Sequence, residues 1–145
     1  MNILIIYHSH HRMNTEKVAR AMGDAVGAQV VNVKDARNED LAGYDLIGFG
    51  SGIYGGKPHK SLFAFIDKMS PMTKKAFIFS TSGEPKAEYH QVLRERLTEK
   101  GFQIVGEFQC PGESGFLGFT FGNKGHPDEK DLEDARAFVK GLLNN

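Results

Sequence analysis

The chain has 145 residues, of which 40% are hydrophobic and 25% are charged, a composition typical of a soluble globular domain. Eighteen basic residues balance eighteen acidic ones, so bulk charge offers no attraction to nucleic acid or to an anionic membrane. Cys110 is the single cysteine, which excludes an intrachain disulfide. No run approaches the roughly 20 apolar residues of a transmembrane helix. We expect one cytoplasmic domain over residues 1–145.

Strands and helices alternate along the chain. Five apolar runs predict strands buried on both faces, as in a parallel sheet; they cover 3–6, 30–33, 46–49, 76–79 and 104–108. Helical spacing of apolar residues predicts four helices, the first of which ends at Gly27. Pro58, Pro85 and Pro127 suit the first turns of the other three, and Gly101 ends the one that Pro85 begins. The segment 34–43 has little apolar periodicity, and we expect no full helix there.

This alternation predicts an α/β fold, a three-layer sandwich around a five-stranded parallel sheet. Right-handed crossovers and five strands favour the strand order 2-1-3-4-5. Ligands of such sheets bind beyond the carboxyl ends of the strands, where the strand order reverses. The loops that follow strands one, three and four meet there, and they cover 9–15, 51–57 and 80–84.

The first loop is rich in polar groups and leads directly into a helix. Backbone N–H groups and the positive end of a helix together suit a phosphate. Asn14 and Thr15 add side-chain donors and Arg12 adds charge. The alternative is that Asn14 or Thr15 only caps the helix. A metal site on the nearby histidines is disfavoured, because no carboxylate or cysteine stands at ligand spacing; these histidines are His8, His10 and His11.

The second loop is rich in glycine and the third is small and polar. Gly50, Gly52 and Gly55 match the dinucleotide pattern G-x-G-x-x-G. The match is weak, because it follows the third strand and lacks the acidic residue that would bind a ribose. Glycines do allow the backbone to approach a flat ligand. The third loop is also compatible with an ordinary connection from a strand to a helix.

Together the three loops resemble those of the flavodoxin family, whose first loop ends in Gly-Asn-Thr before the helix. Here Met13-Asn14-Thr15 occupies that place, with Met13 where the family has glycine. The resemblance implies bound FMN. Its phosphate would be surrounded by Ser9, His10, His11, Arg12, Met13, Asn14 and Thr15. The edge of the flavin would lie along Ser51, Gly52, Ile53, Tyr54, Gly55 and Gly56, and its other side against Thr81, Ser82 and Gly83.

The resemblance leaves the function open between two classes. One is an electron carrier that docks to a protein redox partner. The other is an FMN-dependent NAD(P)H oxidoreductase that reduces a quinone or another small acceptor. The chain is neutral and lacks Trp, whereas electron-carrier flavodoxins are usually acidic and place Trp and Tyr against the flavin. Tyr54 is the best candidate for stacking. A third possibility keeps the fold with another ligand, because a fold does not fix a function.

The segment 111–126 is long for a connection within a compact domain. It contains Phe116 and Phe119, apolar side chains that are costly to leave in water. We expect an irregular segment that covers the flavin as a lid. The alternatives are a small satellite core or a contact within a homodimer.

Overall fold

The computed structural model describes residues 1–9, 13–112, 114–116, 119–122 and 125–144, with the backbone alone for 114–116 and 119–122. The strands are β1 Ile3–His8, β2 Gln29–Asn32, β3 Leu46–Tyr54, β4 Lys57–Pro58, β5 Lys75–Ser82, β6 Gln103–Pro111, β7 Ser114–Phe116 and β8 Phe119–Gly122. The α-helices are α1 Asn14–Val26, α2 Lys60–Asp67, α3 Gln91–Glu99 and α4 Glu129–Leu143. None of these helices is both long and apolar enough to span a membrane.

The central sheet has five parallel strands in the spatial order β2-β1-β3-β5-β6. Counted as the five principal strands in chain order, this is 2-1-3-4-5, which confirms the prediction. The sequence did not predict β4, a two-residue strand that pairs antiparallel with the end of β3. Four principal strands also extend beyond their apolar runs, most of all β3, which continues from Leu46 to Tyr54. In contrast, β2 ends at Asn32, and Val33 of its predicted run begins a 3-10 helix.

Both faces of the sheet are buried, and β1 shows why its apolar run is continuous. Leu4 and Ile6 pack on one face with the core side chains of α2 and α3. Ile3 and Ile5 pack on the other face with those of α1 and α4. Since successive side chains of a strand point to opposite faces, a strand covered on both sides has no polar alternation. The three-layer sandwich is therefore confirmed.

Three helices begin later than the prolines predict. Pro58 belongs to β4, where it pairs with Ile53, and His59 is the residue that precedes α2. After Pro85, the chain first forms a 3-10 turn over Ala87–His90. After Pro127, Asp128 caps α4. A proline fixes its own φ but does not choose between a helix and a turn or strand edge, so these three predicted starts were wrong.

The prediction was confirmed for the connection between β2 and β3 but not for the segment 111–126. Two 3-10 helices, Val33–Asp35 and Asn38–Gly43, link β2 to β3, which confirms that no full α-helix lies there. The segment 111–126 was expected to be irregular, but β7 and β8 pair antiparallel within it. The side chains of Phe116 and Phe119 lie outside the described residues, so the lid hypothesis remains an untested prediction.

The glycines of β3 make room for aromatic rings of β5. A Cβ atom on Gly48 would lie 2.3 Å from Cζ of Phe77, and one on Gly50 would lie 2.0 Å from Cζ of Phe79. Both phenylalanines are fully buried between the sheet and the α1–α4 layer. Part of the apparent dinucleotide pattern is therefore explained by packing, because Gly50 has no space for a side chain.

We predict that Gly48→Ala lowers the free energy of unfolding by about 1–3 kcal/mol, because the added methyl group overpacks the core against Phe77. Gly141→Ala is the matched control, since a Cβ atom on Gly141 in α4 meets nothing within 4 Å. That control should be neutral or stabilise slightly. Urea denaturation of both variants tests the prediction, and equal stability of the two would contradict it.

Candidate functional site

The carboxyl ends of β1, β3 and β5 lie side by side, as the fold requires. His8 stands opposite Ser51 in β3, and Ser51 stands opposite Ser80 in β5. The next pair along is Gly52 and Thr81. The described residues of the three predicted loops therefore share one edge of the sheet. His10, His11 and Arg12 lie outside the described residues.

The side chain of the residue that precedes helix α1 does not cap the helix. Its N-cap residue is Met13, which adopts φ 55° and ψ 32° and makes no side-chain cap hydrogen bond. The Glu16 N–H donates to Ser9 Oγ at 3.3 Å, and the Lys17 N–H donates to the Met13 carbonyl at 3.1 Å. The first amides of a helix have no intrahelical acceptor. The hypothesis that Asn14 or Thr15 merely caps the helix was wrong, since both lie inside it.

A buried hydrogen bond joins the first turn of α1 to β5. Thr15 Oγ1 and Thr81 Oγ1 are 2.9 Å apart, and both residues are buried. Gly112, which follows β6, lies against the same group: a Cβ atom there would come within 2.8 Å of Asn14 Nδ2 and 3.2 Å of Thr81 Cβ. Asn14, Thr15 and Thr81 thus form one packed cluster, as the prediction of a shared site requires.

The β3–β4 hairpin turns at two glycines. Gly55 and Gly56 have φ values of 60° and 81°, and Tyr54 pairs with Lys57 on either side of them. A turn with two consecutive positive φ values favours glycine at both positions. Among the described residues, a Cβ atom on either glycine meets nothing within 4 Å. Ile53 pairs with Pro58 and is half-buried.

Tyr54 lies at the end of β3 beside two histidines. The residue is 39% exposed, and its ring contacts His8 and His59 edge to face, at centroid distances of 5.9 and 5.1 Å. The two imidazole rings stack at 3.6 Å with an interplanar angle of 7°. Burial raises the pKa of Tyr54. Sequence reasoning missed His59, because only the β4 hairpin brings it next to His8.

Ser51 and Ser82 differ in how their hydroxyl groups are used. Ser51 Oγ donates to the Gly52 carbonyl at 2.6 Å and accepts from the His59 N–H at 2.9 Å. Ser51 therefore holds the start of α2. Ser82 Oγ is buried and has no hydrogen-bond partner among the described residues, while the Ser82 carbonyl accepts from the Gly112 N–H at 3.0 Å. Gly83 follows at the exposed surface.

Sequence reasoning also missed a chain of hydrogen bonds that begins at Ser80 of β5. Ser80 Oγ lies 2.7 Å from His90 Nε2, and His90 Nδ1 lies 2.9 Å from Glu107 Oε1. Arg94 forms two bonds to the same carboxylate, at 2.7 and 2.9 Å. Burial lowers the pKa of His90, although Glu107 opposes the shift. Burial alone would raise the pKa of Glu107, but the bonds from Arg94 and His90 leave it below its ordinary value.

Two other reactive groups have structural explanations. Burial raises the pKa of the Cys110 thiol to about 12, as expected for a core cysteine that is no nucleophile. His126, Asp128 and Asp131 place ligand-type atoms within 4.8 Å of one another. Asp128 and Asp131 form the capping box of α4, and His126 Nδ1 lies 2.6 Å from Asp131 Oδ2. The two aspartates therefore accept hydrogen bonds from backbone N–H groups at the start of α4, and His126 pairs with one of them.

A doubly wound parallel sheet with a polar loop and a helix N-terminus at its switch point is typical of proteins that bind a phosphorylated cofactor there. A family model described as a flavodoxin domain matches residues 4–112. The chain therefore belongs to the flavodoxin family, and that membership implies flavin binding.

Comparisons over the whole length agree with this family. The chain is 49% identical over 150 residues to the uncharacterized protein MJ0298 of Methanocaldococcus jannaschii, with all of both chains covered. It resembles the structure of a flavodoxin from the domain Archaea, with a TM-score of 0.77 at 20% identity over 99% of this chain and 97% of the other. Flavodoxin 2 from Bacillus cereus gives a TM-score of 0.74 at 23% identity over 99% of each chain. These two structural matches show the fold.

We predict that Met13→Gly stabilises the protein by up to about 1 kcal/mol. The left-handed conformation of Met13 costs an L-residue roughly 1–2 kcal/mol, and glycine avoids this cost but loses some of the gain to backbone entropy. Met13→Ala is the matched control and should show no such gain, because alanine also has a Cβ atom. Thermal denaturation checks both variants, and a loss of stability in Met13→Gly would show that the Met13 side chain packs productively.

We predict that His90 makes the protein less stable as the pH falls below the ordinary histidine value of 6.5. Its pKa is lowered in the folded protein, so the unfolded chain binds more protons in the window just below 6.5, and stability rises with pH there. The measurement is the difference in unfolding free energy between the wild type and His90→Gln at about pH 5 and pH 7. The wild-type advantage should shrink at the lower pH. An advantage that grows there would contradict the assignment of a neutral His90.

Proposed function

We propose that the protein binds one FMN across the three loops and transfers electrons through it. The observation that carries this proposal is the start of α1, where Met13 adopts a left-handed conformation and supplies no side-chain cap. The family places glycine at this position, and Met13 reproduces the backbone conformation that glycine adopts most easily. In this proposal the amides of Asn14 and Thr15 donate to the phosphate, whereas the Glu16 N–H donates to Ser9 Oγ.

The proposed phosphate site consists of the first loop and the start of α1. The backbone amides of the first helical turn and the positive end of α1 favour a dianion. Asn14 is half-buried beside Gly112, and Thr15 keeps its hydroxyl at the buried contact with Thr81. Ser9, His10, His11 and Arg12 complete the loop by the resemblance to the family.

The proposed flavin ring site consists of the β3–β4 hairpin and the end of β5. Gly52, Ile53, Tyr54, Gly55 and Gly56 would line one edge of the ring, with Ser51 holding the hairpin from below through the His59 N–H. Thr81, Ser82 and Gly83 would line the other side. The buried Ser82 Oγ lacks a partner among the described residues, which suits a polar ligand, because buried hydroxyl groups are normally hydrogen-bonded. Bound FMN supplies reversible one- or two-electron chemistry.

Exposure around the proposed ring site favours exchange of electrons at the surface. Two of the large apolar residues that are exposed in the described chain are Met13 in the first loop and Tyr54 in the second, at 49% and 39% exposure. Such groups beside a cofactor provide an apolar contact for a redox protein or a small acceptor. The part played by Tyr54 would be to cover one face of the ring, since aromatic groups stack in offset or edge arrangements.

We predict that the protein prefers FMN to riboflavin and that Thr15→Val weakens FMN binding about tenfold. A hydrogen bond to a charged group contributes about 1.5–3 kcal/mol, and 1.4 kcal/mol corresponds to a factor of ten in Kd. Valine keeps the shape of threonine and removes its hydroxyl group. Thr98→Val, on the exposed side of α3, is the matched control. Fluorescence quenching of the flavin measures each Kd.

Riboflavin separates a phosphate contact from a general loss of structure. Thr15→Val should weaken FMN binding more than riboflavin binding, because both ligands lose the support that Thr15 gives to Thr81 but only FMN loses a phosphate contact. Equal affinities of the wild type for FMN and riboflavin would refute the phosphate site. Equal losses for both ligands in Thr15→Val would instead show that the hydroxyl only supports the fold.

Turnover assays distinguish an electron carrier from an enzyme. We predict that the FMN-loaded protein, reduced photochemically under anaerobic conditions, passes electrons to an added redox protein or dye. It should not catalyse steady oxidation of NADPH or NADH with a quinone above the rate of free FMN. Sustained turnover with a nicotinamide and a quinone, saturable in both, would assign the protein to the oxidoreductase class instead.

A further inference from the structure

The chain of hydrogen bonds from Arg94 to Ser80 has a defined direction. Glu107 accepts two hydrogen bonds from Arg94 and is a carboxylate. A carboxylate can only accept, so His90 Nδ1 donates the hydrogen bond to Glu107 Oε1, which lies 2.9 Å away. His90 is neutral because burial lowers its pKa, so Nε2 is an acceptor. The Ser80 hydroxyl then donates to His90 Nε2 across 2.7 Å.

This chain has the order of a serine–histidine–carboxylate triad but not its accessibility. Ser80 and His90 are each only 1% exposed. A nucleophile needs space for a reacting carbonyl group and donors for its oxyanion, and a fully covered hydroxyl group has no such space. The chain therefore does not serve covalent catalysis.

Its position instead links the outer surface to the end of β5. Arg94 lies on α3, Glu107 on β6 and His90 just before α3. Ser80 immediately precedes the three residues 81–83 that are proposed to line the flavin ring. Thr81 is held from the opposite face of the sheet by Thr15, so the end of β5 is fixed from both sides while Ser82 Oγ is left without a partner among the described residues.

We propose that His90, supported by Glu107 and Arg94, is a positioning residue that holds residues 81–83, at the carboxyl end of β5, in the geometry that binds the flavin ring. The inference rests on the proposed FMN site. None of the three side chains needs to contact the ligand. Their effect passes through the Ser80 hydroxyl and the backbone of β5, and it acts on the part of the ligand that FMN and riboflavin share.

The test replaces His90 in two ways. His90→Phe keeps a ring but removes both hydrogen bonds, and His90→Gln keeps an amide near the position of Nε2 that can accept from Ser80. We expect His90→Phe to raise the Kd for FMN and for riboflavin by about tenfold, the effect of about 1.4 kcal/mol. His90→Gln should restore most of the affinity. The visible circular dichroism of bound FMN should change in His90→Phe and return towards the wild-type spectrum in His90→Gln.

A second pair of variants lies on one helix and keeps the test valid if His90→Phe does not fold. Arg94→Gln removes the support of Glu107. Arg96→Gln, its matched control, removes the neighbouring surface ion pair with Asp67 at 2.9 Å. Arg94→Gln should weaken FMN binding severalfold and alter the dichroism of the bound flavin, whereas Arg96→Gln should do neither. The melting temperature of each ligand-free variant is recorded alongside.

The outcomes separate the inference from the proposed function. Wild-type protein that does not bind FMN overturns both. Wild-type binding with an unchanged Kd and an unchanged spectrum in His90→Phe and Arg94→Gln overturns the inference alone, and a lowered melting temperature would then assign the chain to stability. Equal losses in His90→Phe and His90→Gln also overturn it, because the acceptor at Nε2 would have no role.

Discussion

The geometry of the site depends on buried hydroxyl groups that tie the starts of helices to the ends of strands. Ser51 accepts from the N–H of His59, which directly precedes α2. Ser80 forms a hydrogen bond with His90, which directly precedes α3. On the other face of the sheet, Thr81 bonds Thr15 in the first turn of α1. A buried hydroxyl group without a partner costs free energy, so each contact fixes the direction in which a loop leaves the sheet.

Close packing between β3 and β5 explains why the hydroxyl groups at the carboxyl ends of these two strands lie side by side. Gly48 and Gly50 let the rings of Phe77 and Phe79 lie directly against β3. The parallel register then sets Ser51 beside Ser80 and Gly52 beside Thr81. Gly50, the first glycine of the apparent dinucleotide pattern, is thus part of the core. Gly55 and Gly56 then turn the chain back towards α2 through two positive φ values.

Sequence patterns predicted the features that depend on neighbouring residues. The five apolar runs predicted the principal strands and their order, because burial on both faces leaves a local signature. Gly27 ends α1 with φ 69°, as the pattern predicted. The helix starts predicted at Pro58, Pro85 and Pro127 were wrong, because proline is compatible with a turn as well as with the start of a helix. Whether the predicted FMN ligands bind FMN is still a prediction, and three of them lie outside the described residues.

Contacts between distant residues left no such signature. His90 lies 17 residues from Glu107 along the chain, and His8 meets His59 only through the β3–β4 hairpin. Each of these side chains looks like an ordinary polar residue of a helix or loop in the sequence. Pairing across the sheet, rather than local spacing, gives them their roles.

The most direct measurement of the central claim is a crystal structure of the protein with FMN. The account predicts the phosphate within hydrogen-bond distance of the amides of Asn14 and Thr15, with the flavin ring between the Gly55–Gly56 turn and the 81–83 loop. Met13 should keep its positive φ in the complex. FMN bound at another edge of the sheet, or a phosphate that makes no contact with the start of α1, would contradict it.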